Sequence, residues 1–360
     1  LKIERQYTPL PLRILRKAWN MEHRQPSRTS SPSGQLSSSI RSLVRDYLEL
    51  AKARLGALVV LTAVVGYVLG SRGELSLSVG LAAVIGTALS AFGANILNQW
   101  WEVERDRQML RTRERPLPAG RVGRERAAIW GVSTSLTGLL ILAVGTNLLT
   151  TLLSLFVTLL YVLVYTPLKV RTPLNTVVGA VCGAVPPMMG WAAATGRLDG
   201  GAWILGGLLF VWQIPHFLAL AWLYREDYAR GGFRMLPAVD GEGRVTGRLA
   251  FVYAAALLPI TAALSAAGIT GGTFLVASQV VGLAFVWWGW IFLRARSRQA
   301  ARRLFLASIL YLPVVLGLMV VDMDDHHAAR QAHLGTDLAV DRPALDSAPG
   351  IARLTTDKER

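Results

Sequence analysis

Nine apolar runs, at about 55–71, 76–98, 127–146, 147–165, 174–195, 202–224, 248–268, 271–293 and 303–321, constrain this chain more than any other feature. Each is about 17–23 residues, the length of a helix across the hydrocarbon core of a bilayer. In lipid a backbone must satisfy its own N–H and C=O groups, so such runs become helices. With 52% hydrophobic residues and a mean hydropathy of +0.39, the chain is too apolar for an ordinary soluble domain. The expected fold class is an all-α integral membrane protein, a bundle of nine transmembrane helices. Its least marked division is Gly145-Thr146-Asn147, between the third and fourth runs.

A net charge of +15 would by itself allow a nucleic-acid partner. The Lys and Arg residues, however, crowd into the connections after runs two, four, six and eight. The other connections carry Arg72, none, Arg197 and none. That alternation is membrane topology, and no basic fold with interleaved aromatics accompanies it, so no nucleic-acid partner is expected. It predicts a cytoplasmic N-terminus and, after nine crossings, an outside C-terminus. The one cysteine, Cys182, lies within a run and excludes an internal disulfide or a C-x-x-C motif.

Three segments follow: a basic tail over 1–47, a membrane domain over 48–321 and a polar tail over 322–360. The first tail is Ser-, Arg- and Pro-containing. It reads as a disordered cytoplasmic extension, with Met21 a candidate start, in preference to a transit peptide. In the last tail His326, His327 and His333 read as incidental polar residues in preference to a metal tract.

The polar motifs lie in the basic connections. Asn98, Glu102 and Asp106 recur every four residues, which on a helix places them on one face about 6 Å apart. An amide oxygen and two carboxylates at that pitch suit a hard divalent cation, with a merely charged helix end as the alternative. Arg111, Arg113 and Arg115 follow and suit phosphate oxygens. After run six, Glu226 and Asp227 meet Arg225 and Arg230. Glu226 and Asp227 are candidates to complete the coordination of a Mg²⁺ on Asn98, Glu102 and Asp106. Lys169 and Arg171, after run four, are either topology anchors or diphosphate ligands. Within run six, His216 follows Pro215 and either bonds backbone freed by the proline or faces a large substrate.

These residues carry a resemblance. NQWWEVERDRQMLRTRERPLPAGR resembles the first signature of the UbiA superfamily of intramembrane prenyltransferases. YTPLKVRTPLNTVVGAVCGAVPPMMGW and FVWQIPHFLALAWLYREDYARGGFRMLP are similar to signatures of its protoheme IX farnesyltransferase branch, and LAKARLGALVVLTAVVGYVLG to that branch's first helix. Two departures stand out: Glu102 replaces the usual Asp, and Gly231 follows Asp227 where other branches carry a second Asp.

The resemblance implies nine helices around a central cavity. It implies transfer of farnesyl from farnesyl diphosphate to a vinyl group of protoheme IX, with addition of water, giving heme O on the path to heme A. Asn98, Glu102, Asp106, Asp227 and His216 would be catalytic, the first four holding Mg²⁺ with Glu226. Arg111, Arg115, Lys169, Arg171 and Arg230 would bind diphosphate. The implied setting is a bacterial inner membrane, or the mitochondrial inner membrane as the alternative, with the lipid bilayer and heme A synthase as partners. A quinone or aromatic-ring prenyltransferase, and a non-catalytic heme transporter or chaperone, are the competing readings.

Overall fold

The computed structural model describes the backbone of residues 32–340 and the side chains of residues 41–323. The tail segments 1–31 and 341–360, and the side chains of His326, His327 and His333, lie outside the described residues. Residues 1–47 and 48–360 are two separate compact units. All regular structure among the described residues is helical.

Helix α1 (Pro32–Leu50) runs through the end of the segment read as a tail, where Leu43, Val44, Tyr47 and Leu48 keep a helical period in a Ser-rich composition. Among the described residues, nine helices long and apolar enough to cross a membrane follow. They are α2 (Ala53–Ser71), α3 (Leu77–Asp106), α4 (Arg124–Gly145), α5 (Leu148–Leu168), α6 (Asn175–Thr195) and α7 (Gly200–Leu223). After the short α8 (Arg225–Arg230) and α9 (Leu236–Val239) come α10 (Arg244–Ala266), α11 (Gly272–Ala295) and α12 (Arg298–Val340), the last crossing over Arg298–Met323. The chain is thus a multi-pass membrane protein. Helical backbone continues in α12 past residue 321, where composition alone ended the span.

The helices that carry chemistry overrun the apolar runs. Thirty residues make α3 about 45 Å long, against a hydrocarbon thickness of about 30 Å. Its charged end therefore projects from the membrane still helical. Helix α5 passes through a π-helical turn, Leu160–Tyr165, before closing on Thr166–Leu168. Pro167 has no N–H to give the preceding turn, and the ladder widens so that Thr166 N–H reaches the carbonyl of Tyr161.

Helices α6 and α7 are the most enclosed of the spans described, with 72% and 61% of their most apolar 18 residues buried against 17% for α5. Close approach at α2 and α6 relies on glycine. A Cβ at Gly66 would collide with the Pro187 carbonyl, and one at Gly190 with the Ala63 carbonyl. Pro186 and Pro187 leave α6 continuous, and Pro186 lines a cavity beside it.

Candidate active site

The face predicted on α3 exists. Asn98, Glu102 and Asp106 are all buried, at 0%, 5% and 1% exposure, because α3 stays helical through Asp106. Their neighbours on the helix build the rest of the site. Asn95 Nδ2 donates to the Ala51 carbonyl at 3.1 Å, and Gln99 Nε2 to the Leu50 carbonyl at 2.7 Å. These bonds hold the break before α2, where Lys52 takes a left-handed backbone (φ 50°, ψ 51°). From there Lys52 Nζ reaches Asn98 Oδ1 at 2.7 Å. Asn98 spends its amide nitrogen on Thr166 Oγ1 at 2.9 Å.

Each carboxylate of this face meets a cation. Lys169 Nζ lies 2.7 Å from Glu102 Oε1, with side chains 12% and 6% exposed, and Arg115 Nη1 lies 2.8 Å from Asp106 Oδ2. Burial drives the Lys52 ammonium down to about 7, helped by Arg115 and Lys169 nearby. Lys169 goes the other way. Burial opposes its charge, but the Glu102 carboxylate outweighs this and holds its pKa above the ordinary lysine value. Lys52 escaped the sequence reading because a basic residue at the entry to a span resembles a topology anchor. Only the fold turns it inward.

The second acidic pair does something else. Asp227 Oδ1 accepts from Leu110 N–H at 2.9 Å and from Arg230 Nη2 at 2.8 Å, and Asp227 Oδ2 accepts from Arg111 N–H at 3.2 Å. Burial would raise its pKa, but these donors prevail and lower it. Asp227 is therefore a clasp between the connection after α3 and α8, spent on backbone N–H groups. Arg105 Nη1 adds a bond to the Gly231 carbonyl at 3.1 Å, and Met109, Phe233 and Met235 bury a small core between the two connections. Glu226 and Arg171 are exposed, and Arg230 pairs with Asp227. Glu226, Asp227, Arg171 and Arg230 do not line the polar cavity in this structure: Asp227 is buried within the clasp, and the other three lie on its exposed side.

Two cavities meet at this end of the bundle. The polar one, about 200 Å³, is lined by Lys52, Glu102, Asp106, Arg111, Arg115 and Lys169. The apolar one, about 170 Å³, descends between α2, α3, α5, α6 and α7 to Thr87, Ser154 and Met189. Leu55, Tyr161 and Phe217 line both and form the neck between them. Tyr161 and Tyr165 stack at 5.2 Å in the π-helical turn, and Lys169 Nζ lies 4.7 Å from the Tyr165 ring centroid. An anion at the top with a hydrocarbon tail below matches this shape.

The fit of a divalent cation is set by Asp106. Its Oδ1 is buried without a hydrogen-bond partner and belongs to a carboxylate that lines the polar cavity. Glu102 lines the same cavity. One or two carboxylates plus substrate phosphates is an ordinary Mg²⁺ seat. The five-ligand set is not assembled: among the described residues no three His, Cys, Asp or Glu converge. Asn98 is held by Lys52 and Thr166, and Asp227 by its clasp.

His216 lies outside the lining of both cavities. Its Nδ1 is 2.8 Å from Ser308 Oγ, and its ring stacks on Trp212 and meets Phe305 at a tilt, both at 5.0 Å. Trp212 Nε1 donates to the Ser308 carbonyl at 3.0 Å. Neither backbone freed by Pro215 nor either cavity is its partner. One residue on, Phe217 turns about 100° around α7 and lines both cavities.

This fold and this paired cavity define a class. Residues 59–312 match the UbiA prenyltransferase family, and the chain belongs to that family of membrane enzymes. Within it, the chain is 41% identical over 288 residues to the protoheme IX farnesyltransferase of Solibacter usitatus, covering 78% of this chain and 99% of that one. It is 42% identical over 271 residues to the mitochondrial protoheme IX farnesyltransferase of Homo sapiens, covering 75% of this chain and 60% of that one. A solved structure of digeranylgeranylglyceryl phosphate synthase superposes with a TM-score of 0.67 at 16% identity, covering 78% of this chain and 98% of that one. A UbiA homolog from Archaeoglobus fulgidus bound to GPP and Mg²⁺ superposes at 0.55 and 15% identity, covering 76% and 99%. At such identities these structures establish the fold.

Proposed function

We propose that the chain transfers farnesyl from farnesyl diphosphate to a vinyl group of protoheme IX, with addition of water, giving heme O and diphosphate. The carrying observation is the charged cavity opening through an aromatic neck into an apolar one, in a chain about 40% identical to proteins bearing that name. Lys52, Lys169, Arg111 and Arg115 bind the diphosphate oxygens, the arginines as planar forks. Mg²⁺ on Glu102 and Asp106 would supply further charge against the departing diphosphate. Fixed cations there favour ionisation of the allylic C–O bond because they need no reorganisation as charge develops. The farnesyl chain lies in the apolar cavity, where water is excluded. The π faces of Tyr161 and Phe217 flank the carbon left positive. That carbon bonds to the vinyl group, the resulting porphyrin-side cation takes up water, and a proton leaves to solvent.

The basic connections support a cytoplasmic site and a cytoplasmic N-terminus, in a bacterial inner membrane. The mitochondrial inner membrane is the alternative, since relatives from both settings match. The product then passes to heme A synthase.

Purified protein incubated with farnesyl diphosphate and protoheme, with and without Mg²⁺, tests this by product mass. Farnesylated 4-hydroxybenzoate without farnesylated heme would move the chain to the ring-prenylating branch. Retention of function in Asp106→Asn would favour a transporter or chaperone.

A further inference from the structure

The donor cavities leave the acceptor without a place, and the fold offers one. A groove of about 560 Å³ lies between the end of α7 and the start of α12, walled by Leu223, Tyr224, Arg298, Arg302, Phe305 and Leu306. That size suits a ligand of several rings. Arg298 and Arg302 stand one turn apart on one face of α12, both exposed, with no carboxylate paired to either among the described residues. Their neighbours differ. The Arg294 and Arg303 guanidinium groups lie 4.4 and 5.8 Å from the ring centroids of Trp290 and Trp288, as interfacial anchors do.

The apolar wall of the groove is built from behind. Phe305 meets His216 at a tilt of 34°, and His216 stacks on Trp212, a three-ring column ending at the groove. Ser308 fixes the column from the α12 side. The other wall touches the donor site. Arg111, which lines the polar cavity, holds its guanidinium 5.0 Å from the centroid of the Tyr224 ring. The groove and the diphosphate cavity thus share the Tyr224–Arg111 partition.

We propose that this groove binds the acceptor, a planar porphyrin carrying two carboxylates, which Arg298 and Arg302 receive while Phe305 meets the ring. The proposal rests on protoheme being the acceptor. In protoheme IX the two propionates lie opposite the two vinyl groups. Carboxylates on α12 therefore turn the vinyl edge inward, past Tyr224 and Arg111, toward the reactive carbon of the donor. His216 acts as a positioning residue behind Phe305. This gives His216, which lines neither donor cavity, an acceptor-side role.

The test uses the full chain in phosphatidylcholine nanodiscs, titrated with protoheme by Soret absorbance. R298Q/R302Q should weaken protoheme binding about tenfold, as expected for two exposed ion pairs. It should raise the KM for protoheme equally and leave the KM for farnesyl diphosphate unchanged. R298K/R302K should recover most of the loss, and protoheme dimethyl ester should bind wild type and R298Q/R302Q alike. Gln299→Glu, a single surface change, should weaken protoheme binding in the same direction. Wild-type protoheme affinity in both R298Q/R302Q and Gln299→Glu overturns the groove assignment alone. So does a change confined to retention of phosphatidylglycerol, which would make the groove a lipid site. Failure of the unaltered protein to bind or farnesylate protoheme overturns the functional reading as well.

Discussion

Asp227→Asn separates a metal ligand from a structural clasp. Asparagine keeps the shape but leaves one oxygen where the carboxylate had two. One of the Leu110 and Arg111 amides then faces an NH₂ group and loses its acceptor. A stranded buried donor costs about 1–3 kcal/mol. The Arg230 pair adds less than about 1 kcal/mol, since Arg230 is 49% exposed and screened. The connection bearing Arg111 and Arg115 is therefore loosened by about 1–4 kcal/mol, which bounds the loss in kcat/KM at about 1,000-fold. Measuring kcat/KM across a Mg²⁺ series, beside the unfolding midpoint, should show lower kcat/KM, a lower midpoint and an unchanged Mg²⁺ half-saturation. A half-saturation raised about tenfold or more, with the midpoint unmoved, would refute the clasp and restore Asp227 as a ligand. The pH behaviour has a definite sign. The folded pKa is depressed, so the clasp contributes stability above the unfolded value of 3.8 and loses it as pH falls through the lower folded value. Asp227→Asn should flatten that acid limb.

Lys52→Gly should leave the unfolding midpoint unchanged or higher, because glycine relieves a left-handed backbone cost of about 1–2 kcal/mol. The same variant should raise the KM for farnesyl diphosphate about tenfold or more by losing one charged contact, so an unchanged KM would remove Lys52 from the site. Asp106→Asn should lower kcat by about 10²–10³ with little change in folding, and retention of more than about a tenth of wild-type kcat would sink its role. Gly66→Ala should destabilise the bundle by at least about 1–3 kcal/mol, because its Cβ meets the Pro187 carbonyl and backbone cannot move aside. Gly207→Ala, with open space around it, should be neutral in the same thermal assay.

Span number, all-helical class and the charged end of the bundle follow from the residues alone. A bilayer imposes a length on every crossing, and composition records that length directly. The face of Asn98, Glu102 and Asp106 was equally legible, since a four-residue spacing is a statement about one helix. What sequence could not decide were the partners of each side chain. Lys52 reads as an anchor until Asn95 and Gln99, on a different helix, hold the turn that aims it inward. Asp227 reads as a carboxylate at a helix exit, with nothing to show that the connection after α3 lays its N–H groups against it. His216 reads as a histidine within a span, with nothing to show that it meets Ser308 of α12. These assignments depend on contacts between residues tens to more than a hundred positions apart. Periodicity reports which residues share a face of one helix, while only tertiary packing says what that face meets.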